Sequence, residues 1–259
     1  MTLDVNGLSV DIGGRRVVDD LSFSVAGGDR LGLIGESGSG KSLTVLSVIG
    51  LAPDEATVTG SIRLDGRELV GLSERELARV RGSQVGTVFQ DPLSALNPLH
   101  TIGRQIAEPL RLHDRLSKRE ARARAIAAAR EVGLPDPATI VDLYPHQLSG
   151  GQRQRVGIAI ALIAEPALIL ADEPTTALDV TTQAEILALF RRLVEERGAT
   201  LVFVTHDLAV LAQITDDVVV LAQGRAIEQG TVGRILHAPE HPVTRGLVAA
   251  ARATTWSAS

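Results

Sequence analysis

Apolar and polar positions alternate over the first 25 residues, in the bursts Leu3-Val5, Leu8-Val10-Ile12, Val17-Val18 and Leu21-Phe23-Val25, with Gly13-Gly14 and Gly27-Gly28 as breaks. A period of two punctuated by glycine predicts antiparallel strands and hairpins. The pattern then changes. Leu31 to Ile34 is a short apolar run, Gly35 to Ser42 is rich in glycine, and Leu43 to Ile49 is again apolar, so the order is strand, turn, helix. Gly60 to Leu64 before Asp65-Gly66 reads as a further hairpin strand. Ser73 and Glu76 have the spacing of a capping box at a helix start, and Val85 to Phe89 is a short strand ending at Gln90. From Asp91 to about Val132 the period is helical, with one helix expected over Thr101 to Leu112 and another over Ser117 to Val132, stopped by Gly133. Ser149 to Ala164 reads as a buried helix. Ala167 to Ala171, Leu201 to Val204 and Val218 to Leu221 are unbroken apolar runs, the mark of parallel strands covered on both faces. Thr182 to Arg197, closed by Gly198, is an amphipathic helix between the first two of these runs. Strands alternating with helices predict an α/β fold with a mainly parallel sheet. Ala249 to Ser259 reads as a loose tail.

Composition narrows this picture. The 259 residues are enough for one large α/β domain or a domain with a lobe. A net charge of −5 and aromatics at 2% argue against a nucleic-acid surface, which needs basic patches and stacking platforms. Zero cysteines exclude disulfides, thiolate zinc and cysteine-held iron–sulfur clusters. Met1 to Arg16 lacks a basic start and an apolar core, so no signal peptide is expected. The most apolar stretch, Val156 to Ala171, is broken by Glu165-Pro166 and is too short to span a bilayer as one helix, so a soluble cytoplasmic chain is expected. Arg119, Arg122, Arg124 and Arg130 make a basic helix face, most simply a solvated one.

The candidate chemistry starts at Gly35-Glu36-Ser37-Gly38-Ser39-Gly40-Lys41-Ser42. Gly, four residues, then Gly-Lys-Ser between a strand and a helix is a phosphate-binding loop. Glycines let backbone N–H groups turn inward as an anion nest, and the helix adds its positive end. Lys41 supplies a point charge for the terminal phosphates and the Ser42 hydroxyl suits Mg²⁺. Lys41 is one of only two lysines in the chain, the other being Lys118. In a parallel sheet ligands gather at the carboxyl ends of strands. Gln90, Asp172 with Glu173, and His206 all follow predicted buried strands. Singly each has a plainer explanation: an acid can cap a helix, a His can be structural, a Gln means little. Together they match phosphoryl transfer, in which positioning and charge stabilisation do nearly everything. Asp172 is expected on the metal side, Glu173 as base for an attacking water, Gln90 at the metal or that water, and His206 on the γ-phosphate. Leu148-Ser149-Gly150-Gly151-Gln152 opens the buried helix and offers a second anion site. With no second phosphate loop in the chain, that site is expected to serve another subunit's nucleotide.

These motifs, in this order, resemble an ATP-binding subunit of an ABC transporter, over residues 1 to about 235. Gly35 to Ser42 is similar to the Walker A motif, Gln90 to the Q-loop, Leu148 to Gln152 to the signature, Leu168 to Glu173 to Walker B, Ala177-Leu178-Asp179 to the D-loop and His206 to the H-loop. Phe89 to Pro98, Asp172 to Thr176, and His241 to Leu247 are similar to the dipeptide, oligopeptide and nickel importers. The resemblance implies a P-loop NTPase core of mainly parallel sheet, an N-terminal antiparallel β subdomain, and a helical subdomain inserted at about 91–165, the whole domain spanning 1–235 with a short extension over 236–259. It implies ATP and Mg²⁺ as cofactors, with Asp179 added to the nucleotide-contacting residues. It also implies two membrane permease subunits, a second ATP-binding subunit, and indirectly an extracytoplasmic solute-binding protein. Such a subunit works at the cytoplasmic face of the membrane and drives uptake of a peptide or nickel-type solute. Two features depart from the pattern: no cysteine-bearing C-terminal region follows, and Ile12 stands where an aromatic usually stacks on adenine. The competing reading is a soluble ABC-type ATPase of translation or DNA repair, which one core without a heptad run disfavours; an exporter subunit is disfavoured by the stretches 91–98 and 241–247.

Overall fold

The computed structural model describes residues 1–91, 95–113, 116–176 and 178–256, with side chains described to residue 252. Pro92, Leu93 and Ser94 of the importer-like stretch, Ala177 of the D-loop, and the last three residues of the expected tail lie outside the described residues. In chain order the elements are β1 (Leu3–Ile12), β2 (Arg15–Val25), β3 (Arg30–Gly35), α1 (Lys41–Val48), β4 (Ala56–Leu64), β5 (Arg67–Glu68), α2 (Glu74–Val80) and β6 (Val85–Val88). There follow α3 (Ile102–Ile106), α4 (Glu108–His113), α5 (Lys118–Glu131), α6 (Pro137–Ile140), α7 (Gly150–Leu162), β7 (Leu168–Asp172) and α8 (Val180–Arg197). The chain ends with β8 (Thr200–Thr205), α9 (Leu208–Ile214), β9 (Asp217–Ala222), β10 (Arg225–Thr231), α10 (Val232–His237) and α11 (Pro242–Trp256). The fold is α/β, with parallel and antiparallel sheet, and the chain divides into two compact units: Met1–Leu77 with Ala199–Ser259, and Ala78–Gly198.

In the first unit β1 pairs antiparallel with β2 and β4, and β4 with β5, as the alternating pattern predicts. β3 lies between β8 and β9, parallel to both, with Ile34 opposite Thr205 on one side and Val220 on the other. Both neighbours are apolar runs because helices cover the two faces. The hairpin strand β10, antiparallel to β9, is not anticipated by the sequence reading. Its signal is Gln223-Gly224, two residues with φ of 50° and 81° between the strands, the conformation of a two-residue hairpin turn. The expected tail is also different. Residues 249–256 continue α11, and Val248 is buried with Ile34, Leu208, Leu211, Val220 and Ile235, with Leu247 and Ala251 packed alongside. A terminal helix that buries an apolar stripe is held by that stripe, which a polar C-terminal composition conceals.

In the second unit β6 and β7 are parallel neighbours, Val85 opposite Leu168 and Val88 opposite Ala171. The helix expected over 101–112 is two, α3 and α4, separated at Ala107. Pro109 has no N–H to give the Gln105 carbonyl, so the ladder stops there. α5 follows its prediction closely: Ser117 caps it reciprocally with Glu120, and Gly133 takes φ 71° just past its end.

Candidate functional site

The phosphate loop is placed by β3. At its end Gly35 is so close to the next strand that a methyl there would lie 2.2 Å from the Leu221 carbonyl oxygen and 2.7 Å from Ser39 Oγ. Gly40 has φ 97° and lies against Val17 and Val18 of β2, where a methyl would meet Val18 Cγ2 at 3.1 Å. Glycine is therefore required at both positions, once by space and once also by backbone conformation. Gly40 is the N-cap of α1 and no side chain caps that helix. Lys41 is 4% exposed, and its Nζ donates to the carbonyls of Gly35 at 2.7 Å and Glu36 at 2.9 Å. A buried ammonium held by two carbonyls of a glycine-rich loop at a helix start suits a polyphosphate, whose charge it can share. Ser42 follows in the first turn of α1.

His206 follows β8, whose Thr205 is level with Ile34, so the loop and this histidine leave neighbouring parallel strands at the same end. The imidazole is exposed. Asp207 beside it caps α9, accepting from the N–H groups of Ala209 and Val210. Ile12 ends β1, half-buried and paired with Arg15 and Ala56.

The second unit brings Gln90 and Glu173 together: Gln90 Nε2 donates to Glu173 Oε2 at 3.3 Å. The two residues follow adjacent parallel strands, β6 and β7. Asp172 is the last residue of β7 and is buried at 7% exposure. Glu173 has φ 44°, left-handed and rare for a residue with a Cβ, at a cost of order 1–3 kcal/mol. That twist turns consecutive carboxylates, Asp172 and Glu173, out of the simple alternation of a strand. The hydroxyl of Thr176 also donates to Glu173 Oε2, at 2.9 Å. Sequence reasoning did not single out Thr176; its spacing of three from an acid across a proline is the available signal.

Ser149 caps α7, its Oγ accepting from the Gln152 N–H at 3.3 Å while Gln152 Oε1 accepts from the Ser149 N–H at 2.9 Å. Gly151 is closely packed, since a methyl there would lie 2.8 Å from Thr182 Cγ2, whereas at Gly150 the nearest atom would be Leu178 Cδ2 at 3.9 Å. Asp179 caps α8, accepting from the Thr182 N–H at 3.0 Å and the Thr182 hydroxyl at 2.7 Å. Those bonds, the backbone one first, hold its carboxyl below the usual aspartate range. The oxygen donors Ser42, Gln90 and Asp172 are hard ligands of the kind Mg²⁺ takes alongside phosphate oxygens. Among the described residues no three His, Cys, Asp or Glu side chains form a metal-binding group.

Residues 18–176 match the ABC transporter family model. The chain belongs to the ABC transporter family. It is 47% identical over 253 residues to a Brucella abortus (strain 2308) protein named as a peptide import ATP-binding protein, covering 96% of this chain and 76% of that one. The glutathione import ATP-binding protein GsiA of Escherichia coli (strain K12) is 48% identical over 243 residues, covering 90% of this chain and 38% of GsiA. Among solved structures, the ATP-binding cassette MJ0796, a dimer in a post-hydrolysis state bound to ADP and Pi, superposes with a TM-score of 0.79 at 32% identity, over 89% of this chain and 98% of that one. CbiO1 of Clostridium perfringens, part of the transporter complex cbiONQ, gives a TM-score of 0.77 at 28% identity, over 91% and 90% of the two chains. This member of the family is an ATPase subunit, the energy-supplying part of a transporter. No helix among its described residues is long and apolar enough to cross a membrane.

Proposed function

We propose that this chain drives import of a peptide-type solute, at the cytoplasmic face of the membrane, as one of two ATP-binding subunits docked on two permease subunits beneath a solute-binding protein. Its ATPase domain takes in 1–235, with the helical part at about 91–165 as a subdomain and 236–259 as a short extension. Support for the solute class comes from the relatives named for peptide and glutathione import. A nickel-type solute is the alternative within the same family of importers, and reconstitution with the permeases separates them: peptide, not Ni²⁺, is expected to stimulate ATP hydrolysis.

In this reading the N–H groups of Gly35 to Lys41 and the Lys41 ammonium bind the phosphates of ATP, and Ile12 covers the base. Ser42, Gln90 and Asp172 would hold Mg²⁺, which when bound would supply charge neutralisation for the phosphates. Glu173 accepts the proton of the attacking water, and His206 donates a hydrogen bond where charge builds on the γ-phosphate. Ser149, Gly150, Gly151 and Gln152, with Asp179, complete the partner subunit's site. The observation that carries the catalytic assignment is the Gln90–Glu173 hydrogen bond, which ties a candidate metal ligand to the candidate base. Gln90 donates through Nε2, leaving its carbonyl oxygen for the ion.

Glu173→Gln tests it. Turnover of the assembled transporter is expected to fall by ~10²–10⁴-fold with ATP binding retained, and ATP-bound subunit pairs should accumulate. Hydrolysis above roughly a third of the wild-type rate removes Glu173 from the role.

A further inference from the structure

Glu173 is not a carboxylate standing alone at a strand end. Glu173-Pro174-Thr175-Thr176 is a turn in which the Thr176 N–H reaches the Glu173 carbonyl at 3.4 Å. Pro174 sits at the second position of that turn, where its fixed φ is favoured. Across the same turn the Thr176 hydroxyl donates to Glu173 Oε2 at 2.9 Å. Thr176 therefore ties Glu173 at the main chain and at the carboxylate together. The Gln90 amide is a second donor to the same oxygen, at 3.3 Å.

We propose that Thr176 is a positioning residue for ATP hydrolysis, holding the Glu173 carboxylate in place for proton abstraction. The inference rests on the reading of Glu173 as the general base. A glutamate carries rotatable bonds that a base must lose before it sits within hydrogen-bond reach of its proton. A hydroxyl three residues on, in a turn set by proline, removes that freedom in advance. Because Thr176 acts through Glu173, it affects turnover and leaves nucleotide binding alone.

The test uses the full chain assembled as a transporter, comparing Thr176→Val, Thr176→Ser and Glu173→Gln with the double variants. Thr176→Val keeps the shape and removes the donor; Thr176 is exposed, and Thr176→Ala replaces Val should Val disturb the fold. Expected is a drop in kcat of roughly three- to tenfold with ATP affinity within about twofold, from the lost orientation. Thr176→Ser, which restores the hydroxyl, should recover most of the rate. In the Glu173→Gln background Thr176→Val should cost nothing further, because the carboxylate it positions is gone. An unchanged kcat in Thr176→Val, failure of Ser to rescue, or an equal further loss in the Glu173→Gln background overturns the proposal while leaving Glu173 as the base. Near-wild-type turnover in Glu173→Gln alone instead removes the base, and this proposal with it.

Discussion

Two helix starts in this chain carry glycine and were both read as anion sites, yet they are built differently. α1 begins at Gly40, with φ 97° and no side-chain cap. α7 begins at Ser149, whose hydroxyl and the Gln152 amide satisfy each other's backbone N–H groups. The first helix start therefore has no side-chain cap, and the buried Lys41 is the first residue of the helix itself. In the proposed reading a phosphate binds at this start. At the second helix start Ser149 Oγ accepts from the Gln152 N–H, which leaves the Ser149 hydroxyl able to donate elsewhere. So α1 starts on glycine without a side-chain cap, where the proposed reading puts this chain's own ATP, whereas α7 starts on a side-chain cap, where that reading puts another subunit's nucleotide.

The sharpest way to break this comparison is a reciprocal pair of substitutions. Lys41→Ala should weaken ATP binding to the isolated chain by about 100-fold, about 2.7 kcal/mol, since a charged partner of the phosphates is lost. Ser149→Arg should leave that affinity within about twofold and yet abolish ATPase activity of the assembled pair. Titrations of ATP against each purified variant, followed by turnover assays, check both. Loss of ATP affinity in isolated Ser149→Arg would make the two starts equivalent.

A smaller effect is expected at the base. In the proposed reading the phosphate loop is blind to base identity, and Ile12 covers the ring by dispersion without a π-face. ATP and GTP should bind the wild type within roughly tenfold of each other, about 1.4 kcal/mol. Ile12→Tyr should tighten both by a similar factor, stacking being worth ~1–3 kcal/mol per base and tolerant of any of them. Calorimetric titration of both nucleotides decides it, and a hundredfold ATP preference in the wild type counts against the idea.

The cap itself is expected to matter less. Ser149→Ala should lower stability by ~1 kcal/mol, as loss of a helix N-cap does, with no counterpart at Gly40. Thermal unfolding measures it. The smallest expected effect is at Asp179, which caps α8. Its carboxyl lies below the usual range when folded, so its stabilisation is present above the unfolded value and is lost as pH falls through the folded one. Acid unfolding of Asp179→Asn should show a slightly weaker pH dependence on the acid side, in a window below the ordinary aspartate range.

The glycine-rich loop, the helix start at Ser117, and Gly133 were legible in the sequence because their causes are local: a glycine where no Cβ fits, a hydroxyl at a helix start, a left-handed stop. The apolar runs of β3, β7, β8 and β9 were legible because burial on both faces leaves no polar position in a strand. Pro109 also lies open in the sequence, but its effect on the ladder from Gln105 was outweighed by the helical period around it. β10 was obscured because its residues are half-exposed and polar, Arg225 to Thr231, and pairing with β9 rather than burial defines it. The last helix was obscured because what holds it, the cluster around Ile34 and Leu211, is assembled from residues far apart in the chain.

Local chemistry, then, was determined by the sequence alone: where a glycine-rich loop joins strand to helix, which acids end a strand, which hydroxyls open a helix. Tertiary structure decided how those groups are tied to one another. The bonds from Gln90 and Thr176 to one oxygen of Glu173, and the crowding of Gly35 by Leu221, depend on parallel strands brought side by side and on a backbone twist at Glu173. No spacing along a chain encodes a distance between strands, because that distance is set by packing of the whole core.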